Sequence, residues 1–85
     1  MGRVYSGRNA ENPSAYKRTV AALRGRTDVP ATVISVLAMY SKAADEPGKA
    51  QSFRAQVADT VAELSTADRA QVNAILSEVG IGGLE

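Results

Sequence analysis

The chain contains no cysteine, no histidine and no tryptophan. Without cysteine, neither a disulfide nor a thiolate metal site can support a small fold, which fits a reducing compartment. Without histidine, the usual proton shuttle near neutral pH is missing. Aromatics are scarce as well, with three tyrosines and one phenylalanine. The core must therefore be mostly aliphatic, and aliphatic, alanine-rich patterns favour helix. No apolar run is long enough to span a bilayer: the longest, residues 29–40, is interrupted by Thr32 and Ser35. The first residues lack the apolar centre of a secretory signal. These absences predict a cytoplasmic, soluble protein without membrane attachment.

Eighty-five residues are enough for one domain. A chain this short buries a small fraction of its surface, so its stability is expected near ~5 kcal/mol. A partner or a second copy then matters energetically.

The pattern predicts an all-α fold, a compact bundle of about four short helices behind a flexible basic arm. Residues 1–11 carry two glycines and no period, and read as that arm. Residues 12–85 read as a single helical domain. Asn12-Pro13 predicts a cap and first helical position, opening a helix over 13–24 with Tyr16, Val20 and Leu23 as its buried stripe and Gly25 as its left-handed end. Asp28 and Pro30 announce a second helix over 30–44. It is apolar on most sides through Val33, Ile34, Val36, Leu37 and Tyr40, with Thr32, Ser35, Met39 and Lys42 on its narrow remaining face. So narrow a polar stripe predicts the central helix of the bundle.

Pro47-Gly48 separates it from a third helix over 49–64, where Phe53, Val57, Val61 and Leu64 recur at helical spacing. Ser65-Thr66-Ala67-Asp68 reads as a capping box that opens a fourth helix over 66–79, with Val72, Ile75, Leu76 and Val79 facing inward. Gly80-Ile81 matches a Schellman ending, with Ile81 packing back on Leu76. The glycines that follow read as a flexible tail, and Leu84-Glu85 as a cloning remnant without functional weight.

Little here supports catalysis. Seven serines have no histidine to activate them, and Ser65 is already spoken for as a cap. Lys17, Lys42 and Lys49 read as exposed, whereas catalytic lysines are usually desolvated. Asp59 and Glu63 stand one turn apart, but a hard-metal site needs further ligands from other helices, and two solvated acids are the plainer reading. The glycine-rich end follows a helix, the reverse of a phosphate loop. We therefore expect no catalytic residue, metal, cofactor or small-molecule substrate.

Charge placement is the informative feature. Residues 1–26 hold Arg3, Arg8, Lys17, Arg18, Arg24 and Arg26 against Glu11 alone, leaving +5. Residues 27–85 hold four bases against eight acids, leaving −4. A basic segment on an acidic body marks those six basic residues as the expected contact surface. Two partners suit it. One is a protein, either an acidic partner or a second copy in a homodimer, with Met39 and Tyr40 as an apolar contact if the chain assembles. The other is DNA or RNA, with the basic residues against phosphate and Tyr5 and Tyr16 stacking on bases. A helix-turn-helix use of Arg69, Gln71 and Asn73 is weakened by Asp68 at the start of that helix. The reading is a small non-enzymatic helical regulator or adaptor acting by protein–protein interaction, with nucleic-acid binding as the alternative.

Overall fold

The computed structural model describes residues 13–84, and these form an all-α bundle. Five α-helices follow one another: α1 Ala15–Leu23, α2 Ala31–Asp45, α3 Ala50–Gln56, α4 Ala58–Glu63 and α5 Thr66–Glu78. A 3₁₀ turn, Pro47–Lys49, precedes α3. The expected basic arm over 1–11, with Arg3 and Arg8, lies outside the described residues.

As its composition requires, α2 is the hub. It packs against α1, α3, α4 and α5. Val33, Val36 and Leu37 are fully buried on it, where they meet Val57 from the α3–α4 junction and Val72, Ile75 and Leu76 from α5. Tyr40 and Met39 are half-buried and pack against this core. Ile34 departs from the expected pattern: it is 43% exposed.

The first helix docks on a different face from the one its apolar spacing predicts. Its buried residues are Ala15 and Thr19, with Ala22 and Leu23 beside them, while Tyr16 and Val20 stay 40% and 37% exposed. Small side chains allow a close approach of the helix axes, and interaxial distance follows the side chains at the contact. Thr19 can be buried because its Oγ1–H donates to the carbonyl of Ala15 at 2.9 Å.

The helix also begins two residues later than Asn12-Pro13 implies, at Ser14, whose Oγ accepts the N–H of Lys17 at 3.1 Å. The carboxylate of Asp45, at the last residue of α2, accepts the next two orphan donors, Ala15 N–H at 2.7 Å and Tyr16 N–H at 3.1 Å. Ser14 and Asp45 together satisfy the free amides of the first turn.

The predicted third helix is interrupted. Val57 sits at φ −116°, ψ 12°, and its N–H turns to the carbonyl of Arg54 at 3.2 Å, one residue short of the α-helical partner. No glycine or proline marks the break. It keeps Val57 in the core while α3 lies along α2, and α4 is tied to α5 by Arg69 Nη2–H donating to the carbonyl of Val61 at 2.8 Å.

The fourth predicted helix, α5, lies where its signals place it, though only the Ser65 half of the expected capping box forms. Ser65 Oγ accepts the N–H of Asp68 at 3.0 Å. At the other end Gly80 takes φ 83°, with Gly80 N–H bonded to the carbonyl of Ser77 at 3.1 Å and Ile81 N–H to that of Leu76 at 2.8 Å. These are the two hydrogen bonds of a Schellman motif. The tail beyond is not the free end that its glycines imply. Leu84 N–H donates to Asn73 Oδ1 at 2.7 Å, and Leu84 is half-buried against the core. A Cβ at Gly83 would lie 2.8 Å from Asn73 Oδ1, so a side chain there would have to displace the carboxamide that holds Leu84.

Candidate protein-interaction face on the first helix

Four of the six predicted contact residues, Lys17, Arg18, Arg24 and Arg26, are described, and the fold separates them into two pairs. Arg18 and Arg26 turn inward to clamp α1 onto the end of α5. The Arg18 Nε–H donates to the carbonyl of Val79 at 3.1 Å and its Nη1–H to that of Pro13 at 2.8 Å. A cation at a helix C-terminus is favourable to that helix. Arg26 donates through Nε to the carbonyl of Ala22 and pairs through Nη2 with Glu78 at 2.9 Å. That pair is half open to water, so it orients the elements more than it stabilises them.

Lys17 and Arg24 turn outward. Both are exposed, and neither side chain forms an ion pair or hydrogen bond with another described residue. They stand seven positions apart, two helical turns, on the flank that also carries Tyr16, Val20 and Ala21, and these five residues line one open, shallow depression. The ammonium of Lys42 on α2 lies over the Tyr16 ring, 5.6 Å from its centroid, and adds a third cation at the margin.

Charge spacing pointed to the bases of this face but not to its apolar half. Tyr16 and Val20 read as core from their period, and only the docking of α1 through Ala15 and Thr19 turns them outward. With Ile34 they are the large apolar residues left exposed among those described. Met39 and Tyr40, the expected assembly contact, are half-buried with part of each packed on the core, and Tyr40 also carries the guanidinium of Arg54 at 5.8 Å.

The side chains that a helix-turn-helix would aim at bases are already engaged. Arg69 is bonded to Val61, Gln71 Nε2–H donates to the carbonyl of Asp28 at 3.3 Å, and Asn73 holds Leu84. The first helix packs on α2 and α5, where Asp45 accepts its first two amides and Glu78 pairs with Arg26 just beyond its end. Among the described residues no three histidine, cysteine, aspartate or glutamate side chains converge on a metal-sized site. None of the described helices is long and apolar enough to cross a membrane. Comparison with protein-family models, with curated proteins and with solved structures finds no match to this chain.

Proposed function

We propose that the protein is a small non-catalytic interaction module, a regulator or adaptor, that docks another protein through the outer flank of α1. The observation that carries this reading is the composition of that flank. Tyr16 and Val20 leave apolar surface in water beside two cations, Lys17 and Arg24, that have no internal partner among the described residues. An apolar centre with a charged rim is the general anatomy of a protein contact, in which the buried aromatic supplies affinity and the rim supplies choice of partner.

Nucleic-acid binding draws on the same cations but has less to use. Arg18 and Arg26 are committed to holding α1 in place, and Arg69, Gln71 and Asn73 to holding the fold. Of the described bases, Lys17 and Arg24 remain for phosphate contact and alone imply a salt-dependence slope of roughly −2 on duplex DNA, to which Arg3 and Arg8, outside the described residues, would add.

The test is a photo-crosslinking phenylalanine analogue placed at Val20 and, for comparison, at exposed Gln51 on α3, in cells producing the protein. The expected result is a discrete protein adduct from Val20 that Gln51 does not give. A nucleic-acid adduct from Val20, or the same adducts from both positions, overturns the proposal.

A further inference from the structure

Two surfaces of opposite sign on this chain lack ion partners among the described residues. One is the α1 flank of Tyr16, Lys17, Val20 and Arg24. The other is α4, where Asp59 and Glu63 are exposed one turn apart, with exposed Ala58 and Ala62 beside them and no ion pair to either acid. The first presents two bulky apolar side chains beside cations; the second presents alanines beside anions, which leaves room for such side chains. They do not meet within one molecule, because α1 takes its place on α2 and α5.

A symmetric dimer through α1 is disfavoured by the same charges. A two-fold axis sets a surface against its own copy, and would bring the Lys17 and Arg24 of one chain against those of the other. Complementarity is restored when the contact is heterologous, with the α1 flank of one copy on the α4 face of the next. We propose that a second copy of this chain occupies the α1 flank through its Asp59 and Glu63 face, so that the protein associates head to tail. This rests on the reading of α1 as a docking face and names its occupant. A heterologous contact either closes into a ring or extends, so association does not have to stop at two copies.

The experiment is sedimentation velocity on the purified full-length chain across a concentration range, at low and at high salt. Mass is expected to rise with concentration and to fall back as salt screens the rim. The double variant K17E/R24E and the double variant D59K/E63K each weaken association by about tenfold or more, as expected when two charge pairs are reversed. Mixed together they associate again, because each supplies the face that complements the other. Circular dichroism confirms that both variants stay folded, as exposed positions allow. A strict monomer at every concentration in low salt overturns the proposal. So does association that ignores either reversal, or variants that fail to rescue each other. The crosslink from Val20 separates this from the broader reading: an adduct of twice the chain mass carries both, an adduct with a different protein leaves the docking face standing and removes the second copy, and no specific adduct removes both.

Discussion

Asp45 offers a test in which two arguments predict opposite signs. It is the last residue of α2, where a negative charge opposes the helix dipole, so its removal should relieve that helix by about 0.3–1 kcal/mol. It also accepts the first two amides of α1, at 2.7 and 3.1 Å. Hydrogen bonds to a charged acceptor are worth about 1.5–3 kcal/mol when partly buried. The bond to Ala15 is of that kind, while the bond to Tyr16 is exposed and is replaced by water at little loss. The net expectation for Asp45→Ala is a destabilisation of about 1–2 kcal/mol, a large share of the ~5 kcal/mol expected for a domain this small. Urea unfolding followed by circular dichroism reads it as a midpoint lowered by about 1–2 M for a slope of ~1 kcal/mol/M. Asp45→Asn keeps one accepting oxygen without the charge and should fall between. Ser14→Ala, which frees the Lys17 amide, should cost about 1 kcal/mol alone and less in the Asp45→Ala background, since both act on one helix end. An unchanged or raised midpoint for Asp45→Ala would refute the capping role and leave only the dipole of α2.

Three further substitutions, one of them a control, test the frame on which α1 sits. Gly80 holds φ 83° with open space around it, so Gly80→Ala should cost only backbone strain, about 1 kcal/mol, whereas Gly48→Ala, at a position without positive φ and equally open, should stay within about 0.5 kcal/mol of the parent in the same titration. Leu37 is fully buried at the centre of the core, and Leu37→Ala should cost about 3–5 kcal/mol, leaving the domain close to its unfolding midpoint at room temperature as judged by its thermal melt.

Local signals were legible where the structure is local. The Ser65 cap and the Gly80-Ile81 ending each involve residues within six positions of one another, and both form the hydrogen bonds their spacing implies. The central place of α2 was legible too, because a helix apolar on most sides has to be covered on most sides. What stayed hidden depends on long-range contacts. Asp45 caps a helix about thirty residues away, and no spacing rule reaches that far. Val57 breaks its helix without a proline or glycine, so nothing nearby announces it. On α1 the period suggested a stripe of Tyr16, Val20 and Leu23; Leu23 does pack on the core, but the helix docks through Ala15 and Thr19 and leaves the other two outside. Hydrophobicity ranks candidates for burial, and close packing of small residues overrode it here.

That reversal also reshapes the one charge signal that carried functional weight. In the sequence, the bases of residues 1–26 read as one block facing an acidic body. In the fold, Arg18 and Arg26 become clamps, bonded to Val79, Pro13, Ala22 and Glu78, and of the described bases of that block Lys17 and Arg24 keep the outward role. The clamps and the outward pair depend on each other. α1 has nine residues and buries mainly small side chains, so it contributes little apolar area to hold itself in place. Polar bonds at its two ends make up part of the difference, and they fix the rotation that leaves Tyr16 and Val20 in water. A more hydrophobic docking of the same helix would have stabilised the monomer by burying those two residues, at the cost of the exposed apolar surface on which the docking proposal depends.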